Sequence, residues 1–203
     1  MVIVSISVLI IINKKTLFGG IAMNETTFTK SKTFELTLTA LFAALACIST
    51  MVIQIPTPTN GYVNMGDCFV LLAGFILGPV YGGLAAGIGS MLADIFSGYA
   101  YYAPATFVIK ALMAVAAYFV AKYMVKLIEK ASFANAAATV SAAVVAEIIM
   151  IGGYFVFAAV FLGSGLGAVA GIPGNLVQAA FAIITAPLLY ALVSKSLKIS
   201  LKG

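Results

Sequence analysis

The chain has no histidine and no tryptophan, and all eleven of its basic residues are lysine. Without histidine, imidazole acid–base catalysis and histidine metal ligation are excluded. Without arginine, bidentate guanidinium clamps on phosphate are excluded as well. Cysteine is nearly absent. Cys47 and Cys68 both sit in apolar stretches, where packing is a better account of them than a disulfide or a metal pair. There is no G-x-x-x-x-G-K-[ST] phosphate loop, H-E-x-x-H or G-x-S-x-G motif, so no nucleophile–base pair and no site for ATP hydrolysis of that kind can be proposed. The residues therefore predict neither an enzyme nor a resident cofactor or metal. The scarcest property is charge. Only 8% of the 203 residues are charged, against about a quarter in soluble domains.

What is present is apolar sequence: 63% hydrophobic residues and a mean hydropathy of +1.16. At about 20 apolar residues per crossing, the chain has room for five to seven membrane helices and no separate soluble domain. The formal charge of +5 comes from lysines at the chain ends and in one internal stretch. That distribution is a topology signal and not a nucleic-acid stripe.

Residues 1–22 read as an over-called leader. Met1–Ile12 is apolar but too short to span a bilayer, and Lys14 and Lys15 follow the apolar run instead of preceding it, unlike a signal peptide. Gly19-Gly20-Ile21-Ala22-Met23 can be encoded by a ribosome-binding sequence, a spacer and a start codon, which predicts a true start at Met23. A genuine amphipathic anchor is the alternative. Residues 23–203 then form a single transmembrane domain.

Plain spans are predicted at Phe34–Ile55, Pro104–Lys122, Ala136–Phe161 and Pro173–Ser194. Pro56 to Tyr62, with two prolines and Asn60-Gly61, reads as a loop. Tyr62–Gly98 is interrupted by Gly78-Pro79-Val80-Tyr81-Gly82-Gly83 and reads as one long helix or two short ones. The lysines choose between them. Lys30 and Lys32 place the N-terminus inside, and two helices in that stretch bring Lys122, Lys126 and Lys130, and also Lys195, Lys198 and Lys202, to the same side. The expected fold is an all-α membrane protein with six transmembrane helices and both termini cytoplasmic. Pro56–Asp67, Gly98–Ala103 and the glycine-rich Leu162–Ile172 then lie outside.

Charge at membrane depth marks a pathway, a partner or a site. Asp94 is four residues before Gly98 and Lys110 six after Pro104, about 6 and 9 Å below one boundary, so an ion pair between them is predicted. It would either pin two helices or shape a site. Glu147 lies deeper, with no partner evident in the sequence, and reads as ligand-facing or linked to Lys110. Asn175 and Gln178 share one helix face and would hydrogen-bond a heteroaromatic ring or join two helices. Asp67 precedes an apolar run, as either a helix cap or a ligand contact. Tyr99, Tyr101 and Tyr102 suit an interfacial belt or stacking on a flat ligand. Ala40 and Ala44 make an A-x-x-x-A pair, and Gly83 and Gly87 a G-x-x-x-G pair, both suited to close helix packing.

Five blocks taken together resemble the substrate-binding S component of energy-coupling factor (ECF) vitamin transporters. They are Tyr62-Val63-Asn64-Met65-Gly66-Asp67; Gly78-Pro79-Val80-Tyr81-Gly82; Ala93-Asp94-Ile95-Phe96-Ser97-Gly98-Tyr99; Ala103-Pro104-Ala105-Thr106-Phe107-Val108-Ile109-Lys110; and Ile172-Pro173-Gly174-Asn175. Their order and spacing resemble the branch for riboflavin, hydroxymethylpyrimidine and vitamin B6 compounds, over about Phe34 to Ser194. The resemblance implies a six-helix protein that binds its vitamin near the outer face, with Pro56–Asp67 as a gate. It also implies docking, through Ala40 and Ala44, on a coupling membrane subunit that carries two ATPase subunits. With no tryptophan, stacking falls to Tyr99, Tyr101, Tyr102 and Tyr154.

The expected function is capture of a small heteroaromatic vitamin at the plasma membrane of a bacterial cell, a pyrimidine or pyridine first and riboflavin second, with ATP hydrolysed by partners. Asn64, Asn175 and Gln178 would hydrogen-bond the ligand, Asp67 would stand at the gate, and Asp94, Lys110 and Glu147 would set the pocket's electrostatics. The rival is a self-sufficient proton-coupled carrier using Asp94 or Glu147, although no inverted repeat is visible between the halves.

Overall fold

The computed structural model describes residues 32–56, 61–128, 133–197 and 201. The expected leader, 1–22, lies outside them. Leu36–Gly203 forms one compact unit, distinct from Met1–Glu35. Helices α1 (Lys32–Val52), α2 (Asp67–Phe96), α3 (Ala103–Leu127), α4 (Ala134–Val156) and α5 (Ile172–Leu197) account for most of it. Among the described residues, five helical segments are long and apolar enough to cross a membrane.

The interrupted stretch is assigned by the structure to α2, and α2 is not straight. Gly78 has φ +79°, outside helical geometry, and Pro79 follows it. Gly82 packs against the Ala73 carbonyl and the Gly74 Cα. In a continuous helix those nine residues would separate the positions by about 13 Å, so the chain reverses at Gly78 and α2 is two antiparallel arms. A left-handed residue favours glycine, and proline after it cannot continue the first arm's hydrogen bonding.

One expectation is corrected between α1 and α2. The segment read as a loop, Pro56 to Tyr62, connects the strands of an antiparallel hairpin that the sequence did not announce, β1 (Gln54–Pro56) and β2 (Tyr62–Asn64), with Ile55 opposite Val63. The fold is therefore helical with one small hairpin, not purely α. Val63 and Asn64 of β2 are buried while Ile55 and Pro56 of β1 are exposed, so β2 is the inner strand of the hairpin and β1 the outer one. The glycine-rich connection is also more ordered than a plain loop. After α4 the chain makes a π-helical turn (Phe157–Phe161) and then a 3-10 helix (Gly165–Gly171), with Gly163 and Gly165 at positive φ.

Helices α2, α3, α4 and α5 pack in sequence, and α5 returns to α2. Alanine dominates the shared core, with Ala85, Ala86, Ala114, Ala117, Ala142, Ala143 and Ala146 fully buried. Small residues allow the close helix approach on which membrane bundles depend. Gly83 and Gly87 belong to this packing, facing Ala111, Val115 and Phe107 of α3. Large apolar side chains such as Leu112, Phe119, Ile148 and Leu188 are exposed, the arrangement expected where lipid is the solvent. Gly74 offers a direct test of the packing between α2 and α3, because a Cβ there would collide with the Ala114 carbonyl. Gly74→Val is expected to cost about 1–3 kcal/mol or more, read as a lower midpoint of thermal unfolding in detergent. Gly152→Val, where nothing lies within 4 Å of the added Cβ, should change it far less.

Candidate functional site

At the hairpin end of the bundle, a cleft opens between β2, α2, α3, α4 and α5. It holds about 680 Å³ of space, its opening included. The helical repeat decides what faces it. Ser90 and Asp94 are four apart on the second arm of α2, Thr106 and Lys110 four apart on α3, and Glu147 and Tyr154 seven apart on α4, so each pair shares a face. All but Glu147 line the cleft, with Tyr62, Asn64, Tyr102, Phe155, Asn175 and Thr50.

Beneath the cleft lies a closed polar knot. The Asp67 carboxylate takes the Lys110 ammonium on one oxygen and the Gln178 Nε2 amide on the other. The Gln178 Oε1 atom accepts the Asn64 backbone N–H at 2.9 Å, and the Asn64 side chain accepts the Gly66 N–H at 2.9 Å. Asn64, Asp67, Lys110 and Gln178 are all buried. A buried ion pair is tolerable only when its remaining hydrogen-bonding capacity is met, and here both Asp67 oxygens are engaged.

This corrects the predicted Asp94–Lys110 pair. Depth counting places Asp67 at the boundary, whereas the hairpin carries the chain inward before α2 begins. Lys110 is the seventh residue past Ala103, about 10 Å along α3, and Asp67 meets it there. Nor does Asp67 cap a helix: Gly66 occupies the cap position, without a side-chain hydrogen bond. The starting depth also explains why the first arm can be short.

Asp94 has a different partner. The Tyr62 hydroxyl donates to Asp94 Oδ1 at 2.5 Å, and Gln54 Nε2 donates to Ser97 Oγ at 2.8 Å. Together these hold the hairpin to the end of α2. Burial and the nearby carboxylate push the Tyr62 phenol well above its ordinary pKa, so it stays a donor. Asp94 Oδ2 and Ser90 Oγ have no hydrogen-bond partner among the described residues, and their side chains are 4% and 1% exposed. Buried polar atoms are satisfied as a rule, so two orphans on one cleft wall point to something that completes them.

Aromatic rings run from the hairpin to α4: Tyr62 to Tyr99 at 4.8 Å, Tyr101 to Tyr102 at 5.0 Å, and Tyr102 to Tyr154 at 6.2 Å between centroids. Tyr102 and Tyr154 face the cleft, whereas Tyr99 and the half-exposed Tyr101 do not line it. The Tyr154 hydroxyl donates to Thr106 at 3.1 Å, and the Lys110 ammonium lies 5.3 Å from the Tyr154 ring centroid. Glu147 is buried near Asp67 and Lys110, with both carboxylate oxygens unpartnered among the described residues. It does not line the cleft.

The structure thus brings Asn64, Asp94, Tyr102, Lys110, Tyr154, Asn175 and Gln178 to one cleft and sets Asp67 and Glu147 behind it. Sequence reasoning missed Tyr62, Ser90 and Thr106. The last two had a signal: each lies one helical turn before a membrane-depth charge. Ala40 and Ala44 are exposed on α1 and line a separate apolar groove with Ile88, Leu92 and Phe96. No group of three or more acidic, cysteine or histidine residues able to hold a metal occurs among the described residues.

Comparison with known proteins adds three findings. Residues 30–195 match the family described as ECF-type riboflavin transporter, S component. A protein of Pyrococcus woesei, described as an uncharacterized protein in gap 3'region, is 36% identical over 138 residues, which is 68% of this chain and 86% of the relative. The solved structure of the S component of a bacterial ECF transporter superposes with a TM-score of 0.62 at 23% identity. It covers 83% of this chain and 100% of its own, a likeness of fold.

Proposed function

The chain belongs to the family of ECF-type riboflavin transporter S components, and from that premise we propose that it captures a flat heteroaromatic vitamin in the cleft beneath the hairpin for ATP-driven uptake. The family makes it a multi-pass membrane transport protein that associates with other ECF components, not an enzyme. The observation that carries the finer reading is the pair of buried, partnerless polar atoms, Ser90 Oγ and Asp94 Oδ2, on the wall of a cleft that also presents Tyr102 and Tyr154. Heteroaromatic ligands need this combination of ring contact and a few directed polar groups.

In this reading Tyr102 and Tyr154 stack on the ligand. Asn64, Asn175 and Asp94 hydrogen-bond it, while Asp67, Lys110 and Gln178 hold the walls in register. Glu147 sets the field below, and Tyr99 and Tyr101 form the aromatic rim on which Tyr62 rests. Riboflavin takes first place among the candidates because the matching family is described by it, ahead of the small pyrimidine or pyridine that the residues alone suggest. The two arms of α2 count as two crossings, which gives six in all. The lysines of the α3–α4 connection and of the C-terminus lie in the cytoplasm, and the hairpin faces outside a bacterial cell. ATP hydrolysis falls to two ATPase subunits on a coupling membrane subunit, against which Ala40 and Ala44 of α1 dock.

Native mass spectrometry of the detergent-purified protein from cells grown in rich medium tests this. A vitamin mass should be released on activation, one per chain. If no small molecule is released and none of riboflavin, hydroxymethylpyrimidine and pyridoxine binds on addition, the reading fails. One observation favours a second reading: Glu147, a partnerless carboxylate at membrane depth, suits a proton-coupled carrier. Uptake into vesicles that lack ATPase partners, driven by a proton gradient alone, would establish that reading instead.

A further inference from the structure

Resting on the reading of the cleft as a vitamin site, we infer that Asp94 makes it selective for charge: it accepts an uncharged, hydrogen-bond-donating vitamin and rejects the phosphate ester of the same vitamin. Among the described residues, Lys110 is the one cationic side chain lining the cleft, and its ammonium is committed to Asp67. The chain has no arginine or histidine to supply another. Asp94 stands against that neutralised pair with Oδ2 unpartnered, so the lining presents an uncompensated carboxylate.

The groups facing Asp94 stabilise its carboxylate without bringing a cation free to meet an anion. Tyr62 from the hairpin donates to its other oxygen. Thr106 from α3 is a neutral hydroxyl beside it, Lys110 is held by Asp67, and Ser90 lies one turn away on the same arm.

Helix N-termini are the other common anion holders, but the first two residues of α3 and of α5 offer no free N–H: at α3 the Ala103 N–H is bonded to the Ala100 carbonyl and Pro104 has none. At α5 the Ile172 N–H is bonded to the Val169 carbonyl of the preceding 3-10 helix, and Pro173 has no N–H. At α2 the first residue is itself Asp67. A phosphate dianion entering this cleft would thus meet a carboxylate with no free cation. Facing like charges in a low-dielectric site are strongly disfavoured. A ligand N–H or O–H directed at Asp94 Oδ2 and Ser90 Oγ would instead satisfy both orphans.

The test is calorimetric binding of two matched pairs to the full chain in detergent: riboflavin with riboflavin 5′-phosphate, and pyridoxine with pyridoxine 5′-phosphate. For whichever vitamin binds, the ester should bind about 100-fold more weakly at low salt. Asp94→Asn should shrink that ratio at least tenfold, chiefly by tightening the ester. An ester within threefold of its vitamin in the wild-type protein overturns the inference, even if the variant does not fold. An unchanged ratio in a folded Asp94→Asn protein overturns it too, and both results leave the vitamin-binding reading intact. Binding of no member of either pair overturns the inference, and if hydroxymethylpyrimidine also fails to bind the reading falls with it.

Discussion

Lys110→Met should be among the most damaging single substitutions in the bundle, at a cost of about 3–5 kcal/mol. The lysine is 2% exposed and pairs with an Asp67 that is 1% exposed. Removing one partner leaves the other as an uncompensated charge inside the helices. For a chain of this size the loss corresponds to a drop of about 10 °C in the midpoint of thermal unfolding, measured in detergent. The double variant Asp67→Asn/Lys110→Met should recover most of the loss, since the desolvation penalty disappears with the second charge. The singly substituted protein should also lose ligand, because Asp67 ties Gln178 and, through it, the Asn64 backbone beneath the cleft. A Lys110→Met protein that melts like wild type would show that the pair is not the buried interaction described here.

The second large effect is kinetic. Tyr62→Phe removes the hydroxyl that joins the hairpin to Asp94 while keeping the ring against Tyr99. Hydrogen bonds to charged groups contribute about 1.5–3 kcal/mol, so bound vitamin should dissociate about 10- to 150-fold faster if that contact must break for release. The measurement is release of preloaded riboflavin into excess unlabelled competitor. Gln54→Ala, which removes only the neutral Ser97 contact, should accelerate release less. Equal release rates in wild type and Tyr62→Phe would mean that the hairpin does not gate the cleft.

Much of this molecule could be read from the chain because membrane solvation imposes long apolar helices, and those are visible in composition. The Gly78-Pro79 break was legible for the same reason, since few residues other than glycine tolerate a left-handed turn. What was not legible was depth. Asp67 sits beside its loop in the sequence, but the β1–β2 hairpin draws it inward to Lys110, and no periodicity encodes how far a loop dips. The tyrosines divided for a similar reason. Tyr101 and Tyr102 are neighbours in the chain, yet the turn leading into α3 buries one and leaves the other exposed. Ser90 and Thr106 went unread although each lies one helical turn before a membrane-depth charge, because hydroxyls on apolar helices commonly bond back to their own backbone and do not by themselves mark a site.

The central claim is that the cleft under the hairpin binds a heteroaromatic vitamin, and titration calorimetry of riboflavin into the purified protein, beside Asn175→Ala, tests it most directly. Asn175 lines the cleft without belonging to the Asp67–Lys110 knot, so its loss should spare the fold. The account predicts one riboflavin per wild-type chain and affinity at least tenfold weaker in the variant, with unchanged thermal unfolding. Wild-type affinity in a folded Asn175→Ala protein, or no binding of riboflavin, hydroxymethylpyrimidine or pyridoxine to folded wild type, would contradict it.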